Sequence, residues 1–79
     1  MKKIISNNQP FQCLNSSFTA QLPAGTYTLS YSVDGVTYYT YTDGSTSNIS
    51  GNDLLVVNGA TPGTYFKISG ISDTITVLL

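Results

Sequence analysis

Residues 25–42 of this chain are two runs of alternating side chains on either side of Asp34-Gly35. Asp-Gly between alternating β-forming residues is a strong hairpin signal, because a type I′ turn holds positive φ at both of its central positions. A two-residue turn at this point dictates the pairing. Val33 faces Val36, Tyr31 faces Tyr38 and Leu29 faces Thr40, so Tyr27, Leu29, Tyr31, Val33, Val36 and Tyr38 line one apolar face. Thr28, Ser30, Ser32, Thr37, Tyr39 and Tyr41 line the other, which is polar apart from its two tyrosines. A lone hairpin is not stable in water, so the rest of the chain must cover the apolar side.

The remaining stretches supply further strands. Residues 11–22 read as a strand region in two pieces around Asn15-Ser16-Ser17, and in the second piece Phe18, Ala20 and Leu22 alternate with Thr19 and Gln21. Asp43-Gly44-Ser45 ends the hairpin, and residues 46–52 read as a polar loop. Residues 53–57 are apolar on both faces, the pattern of a strand in the centre of a sandwich or at a subunit contact. Residues 64–69 and 74–79 are the last strands, the latter with Ile75, Val77 and Leu79 on one face and Leu78 on the other. Residues 1–10 read as an arm, with Ile4-Ile5 as a short edge strand at most and Asn7-Asn8-Gln9-Pro10 as a turn. No window of roughly eleven residues carries an apolar period of 3.6. The fold expected is all-β: an N-terminal arm over 1–10 and one domain over 11–79, a small Ig-like β-sandwich or barrel of short antiparallel strands.

At 79 residues the chain is near the size where a single core is only marginally sufficient. Cys13, the one cysteine, cannot close an intramolecular disulfide, and without histidine there is no ordinary zinc site. Oligomerisation remains as a source of extra stability. Charged residues make up 9% of the chain against about 25% in an average protein, and Glu, Arg, His and Trp are absent. Such a surface carries little repulsion against neighbours and suits a protein that works docked to something. Three lysines and a net charge of −1 argue against a nucleic-acid partner. No apolar run approaches a membrane span. Met1-Lys2-Lys3-Ile4-Ile5 begins like a secretory signal, but Ser6-Asn7-Asn8-Gln9-Pro10 follows at once, so no signal peptide is expected and synthesis belongs to the cytoplasm.

Catalytic chemistry finds little to work with. Acid–base catalysis at neutral pH draws on histidine or on a carboxylate tuned by its surroundings. The carboxylate side chains are Asp34, Asp43, Asp53 and Asp73, all at expected turns, where their ordinary task is to bond the backbone. Their spacing matches no calcium loop. Cys13 has no His or Arg to stabilise a thiolate, and no phosphate-cradling glycine motif occurs. The chain is therefore expected not to be an enzyme and to use no metal or other cofactor.

Binding is what remains. Tyr39 and Tyr41 on a Ser/Thr face suit contact with a protein or with sugar rings, unless a second sheet covers them. Ile4 and Ile5 of the arm, Leu55 and Val57 of the doubly apolar strand, and Leu78 complete the set of expected partner contacts. The MKKII start, the short strands rich in Ser, Thr, Asn, Gly and Tyr, the LPAGTYTL and TPGTYFKIS turns and the terminal TITVLL strand together resemble the small β-sandwich accessory proteins of tailed-bacteriophage virions. Those are capsid decoration or auxiliary proteins and head-fibre modules. The resemblance implies a structural component on the capsid surface of the virion. Its partners would be the major capsid protein or other virion subunits, in a homo-oligomer or multi-copy assembly, with neither nucleic acid nor membrane involved. A small carbohydrate-binding or adhesin-like module is the alternative.

Overall fold

Period-two alternation decides most of the strands. In the computed structural model, which describes residues 2–41, 49–50 and 53–79, Phe18, Ala20 and Leu22 point inward from one strand and Ile75 and Val77 from another, each separated by less buried neighbours. Nine strands are present among the described residues and no helix: β1 (Lys2–Ser6), β2 (Phe11–Cys13), β3 (Phe18–Leu22), β4 (Thr26–Ser32), β5 (Tyr39–Thr40), β6 (Ile49–Ser50), β7 (Asp53–Val57), β8 (Thr64–Ser69) and β9 (Thr74–Leu78). They form two antiparallel sheets, one of order β1-β9-β3-β7 and one of order β2-β8-β4-β5, with β6 also on β4. The fold is a small β-sandwich. The turn expected at Asp43-Gly44-Ser45 and most of the loop over 46–52 lie outside the described residues.

Side chains from both sheets fill the space between them. Ile5, Phe18, Ala20, Leu22, Leu55, Val57, Ile75 and Val77 come from the first sheet, and Phe11, Cys13, Tyr27, Leu29, Phe66 and Ile68 from the second. Phe11, Phe18 and Phe66 meet with ring centroids 4.8 to 6.0 Å apart, in offset and edge-on arrangements that favour aromatic contact. Cys13 is fully buried with its Sγ 3.2 Å from the Asn15 carbonyl oxygen, so it serves as a small core side chain with a weak donor. Tyr27 is buried, and its hydroxyl donates to the Pro23 carbonyl at 2.8 Å, which anchors the corner entering β4.

Two expectations are corrected by this arrangement. Residues 2–10 do not stand off as the arm expected over 1–10. Lys2–Ser6 pairs with β9 along its whole length, from Lys2 opposite Leu78 to Ser6 opposite Thr74, and Ile5 is fully enclosed in the core. The following turn is tied to the other sheet as well, since Asn7 Oδ1 accepts from the Gly70 and Ile71 N–H groups and Asn8 N–H donates to the Ile68 carbonyl.

The central hairpin exists, but with its register displaced by one residue. Ser30 pairs with Thr40 and Tyr31 with Tyr39, and Tyr41 N–H donates to the Leu29 carbonyl at 2.8 Å. The cause lies in the loop. Ser32 Oγ accepts from the Gly35 N–H, and Asp34 Oδ1 accepts from the Val36 and Thr37 N–H groups and from the Ser32 hydroxyl, so side-chain oxygens cap the turn where a type I′ backbone bond would have. Gly35 has φ 78, yet Asp34 is not among the residues with positive φ, as a type I′ turn would require. A one-residue slip exchanges the faces of a strand. Tyr39 and Tyr41 therefore turn toward the inner side with Tyr31, and Tyr38 goes to the outer side, where Lys67 Nζ lies 4.4 Å from its ring centroid. Val33 and Val36, expected to face one another on the apolar side, sit in the loop at 80% and 81% exposure.

Candidate binding surfaces

The two outer faces of the sandwich differ in chemistry. Register places Lys2, Leu78, Thr19 and Val56 in one row across the first sheet, and Ile4, Thr76, Gln21 and Leu54 in the next. Ile4, Leu54, Val56 and Leu78 are each half or more exposed on this face. Threonine and glutamine separate them, and Lys2 is the one charged side chain in the two rows. The outer face of the second sheet carries instead Gln12, Thr28, Ser30, Lys67, Ser69 and Thr40 together with the half-buried rings of Tyr38 and Tyr65, with no strongly exposed large apolar side chain among the described residues. A face of spaced apolar and hydroxyl side chains with a single charge at its edge is what the core of a protein–protein contact is made of.

Of the residues expected to contact a partner, Ile4 and Leu78 are on that face, two strands that pair directly. Ile5, Leu55 and Val57 are not available, because all three are in the core at 5% exposure or less. β7 stands beside β3 at the end of the sheet order, and its pairing with Phe18 and Ala20 turns Val57 and Leu55 inward. The members of this strand that face outward are Leu54 and Val56. A strand of five residues that is apolar on both faces offers no alternation from which to read this, so only the partner strand decides it.

Tyr39 and Tyr41 form a different feature. With the slipped register, Tyr39, Tyr31, Tyr41 and Phe66 make a chain of ring contacts, with centroids 5.9, 6.0 and 6.4 Å apart, that leads from an exposed edge into the core. Tyr39 is 57% exposed at its outer end, while Tyr41 and Tyr31 are half-buried. Next to these rings the sandwich opens into a cleft of about 350 Å³, walled on its far side by the loop between β7 and β8.

The Asp34 carboxylate is structural in its contacts. Asp34 is held at a pKa of about 2, below its ordinary 3.8, because the Val36 and Thr37 N–H groups and the Ser32 hydroxyl all donate to the charged form. Among the described residues no cluster of metal-ligating side chains is formed. Comparison with known proteins found no matching family model, no matching curated protein and no matching solved structure.

Proposed function

We propose that this chain is a structural accessory protein of a phage virion, a capsid auxiliary or decoration protein that docks on the head through the outer face of β1-β9-β3-β7. The observation that carries the reading is the asymmetry between the two sheets: four exposed apolar side chains on one outer face, none of comparable exposure among the described residues of the other. The low charge of the whole chain supports it too, since a protein that spends its life attached has less need of charge repulsion to stay dispersed. The resemblance in turn motifs and composition supplies the virion as the place of attachment.

Size then constrains how the docking works. Two rows of four residues, with strands ~4.8 Å apart and same-face residues ~6.7 Å apart, project to roughly 260 Å². A stable contact buries about 800 Å² of accessible surface on each partner, so this face alone falls short. Attachment in many copies, or with help from loops at the sandwich ends, fits that shortfall. Mass spectrometry of purified particles tests the proposal. A virion component is present in fixed stoichiometry with the shell protein through successive gradients, and loss of the chain in those gradients would refute the reading.

A further inference from the structure

Asn58-Gly59 follows β7 and is the one Asn-Gly pair in the chain. An asparagine side-chain amide lies within reach of the next residue's peptide nitrogen, and attack of that nitrogen on the amide carbon closes a five-membered ring. A side chain on the following residue obstructs the attack, so glycine permits it best. The fold leaves this pair open. Both residues are exposed and Gly59 has φ 77. Its chain neighbours apart, no heavy atom among the described residues lies within 4 Å of where a Cβ on Gly59 would stand. The backbone is fixed on either side instead: Val57 is buried opposite Phe18, and Ala60 N–H donates to the Ser16 carbonyl at 2.8 Å.

Asp34-Gly35, the other described pair of an acid or amide with glycine, shows the opposite arrangement. Gly35 N–H donates to Ser32 Oγ at 2.9 Å, while Asp34 Oδ1 accepts from the Val36 and Thr37 N–H groups at 2.9 and 3.0 Å. Nitrogen and carboxylate are thus held in separate bonds, and an ionised carboxylate is a poor target for a nucleophile. The other described asparagines are less suited as well. Asn7, Asn8 and Asn15 precede Asn, Gln and Ser, whose side chains stand in the way, and Asn7 Oδ1 is bound by the Gly70 and Ile71 N–H groups. Sequence and geometry together single out Asn58.

We infer that Asn58 is a site of spontaneous modification in the folded protein, converting to aspartate and isoaspartate through a cyclic imide with Gly59. The Gly59 peptide nitrogen gives up its proton and bonds to Asn58 Cγ, the Cγ–Nδ2 bond breaks, and Nδ2 leaves as ammonia with an equivalent proton. Water then opens the imide. Cutting the new bond to Cγ gives aspartate, and cutting the bond to the main-chain carbonyl carbon gives isoaspartate. Either product adds a carboxylate to a chain of net charge −1, and isoaspartate also lengthens the main chain by one carbon in the loop between β7 and β8. This chemistry does not depend on what the chain docks to. The test keeps the full chain in warm, mildly alkaline buffer, folded and in guanidinium chloride, and follows it by peptide mapping that distinguishes aspartate from isoaspartate. In the folded chain Asn58 is expected to convert ahead of Asn7, Asn8 and Asn15, at a rate close to that of the unfolded chain and with its β-sheet circular dichroism retained. Asp34 is expected to isomerise more slowly folded than unfolded. Gly59→Ala slows conversion by about tenfold or more, because displacing an attacking atom costs rate steeply. Alanine at φ 77 is strained, so Asn58→Gln at the exposed side chain is the second variant, expected to remove the early mass gain and keep the fold. Conversion of Asn58 in denaturant only, earlier conversion at Asn7, Asn8 or Asn15, or an early mass gain undiminished in Asn58→Gln would overturn the inference.

Discussion

Ile4 and Ile5 are neighbours on β1 with opposite surroundings, 62% and 0% exposed. Replacing Ile5 with alanine removes side-chain carbons from a packed core and leaves a cavity, a change that costs ~2–5 kcal/mol at buried isoleucines. β1 lies at the end of its sheet and relaxes more readily than a central strand, so the lower part of that range, ~2–3 kcal/mol, is expected here. A domain of this length holds roughly 4–12 kcal/mol in all, and each kcal/mol moves the melting temperature by about 4–8 °C. Ile5→Ala should therefore lower Tm by about 10–20 °C. The same substitution at Ile4 loses little beyond strand preference, under about 1 kcal/mol. Urea unfolding of both variants, followed by circular dichroism, measures the difference directly. Equal losses in the two, or a loss below about 0.5 kcal/mol at Ile5, would mean that β1 is not docked in the core as described.

The hydrogen bonds around Asp34 make two predictions at once. Asp34→Ala lowers the melting temperature because three donors lose their acceptor, while Asp34→Asn, which keeps an oxygen there, retains most of the stability. Because folding lowers this pKa from 3.8 to about 2, the stabilisation by its charge is fully present above pH 3.8 and is lost as pH falls through 2; Asp34→Asn removes that part of the acid unfolding curve, and an unchanged curve would contradict the assignment. Gly70→Ala destabilises by more than about 1 kcal/mol in a thermal melt, since Gly70 has φ 99 and a Cβ there would collide with the Thr26 carbonyl oxygen; an unaltered melt would show that the turn between β8 and β9 is built differently.

How far the fold was legible depended on whether neighbouring residues differed in polarity. β3 and β9 alternate cleanly, and the inward sets Phe18, Ala20, Leu22 and Ile75, Val77 follow from period two alone. Ile4-Ile5 and Leu54-Leu55-Val56-Val57 present apolar groups to both sides, and their facing is set by pairing with β9 and β3. That is why Leu54 and Val56 were missed as outward residues while Leu55 and Val57 were expected there. The hairpin shows a different limit. Asp-Gly marks a turn correctly, but the hydroxyl of Ser32 and the carboxylate of Asp34 cap backbone N–H groups and lengthen the loop, and this moves Tyr38, Tyr39 and Tyr41 to faces opposite those expected. Serine two residues before an Asp-Gly pair is a local signal from which the longer loop could have been read.

The docking face is best tested by charge placed where the two rows meet solvent. Leu54→Asp with Val56→Asp alters exposed side chains on β7 and leaves Leu55 and Val57 in the core, so the fold is retained. A control pair, Thr28→Asp with Ser30→Asp, puts the same charge on the outer face of the other sheet. Purified particles lacking the chain are incubated with each protein, and the bound copies are counted by quantitative mass spectrometry. The proposal expects saturable binding of the natural chain and of the control, and a loss of about tenfold or more in affinity for the β7 pair, because buried unpaired carboxylates at a contact are strongly unfavourable. Full occupancy by the β7 pair, or equal loss in the control, would contradict attachment through this face.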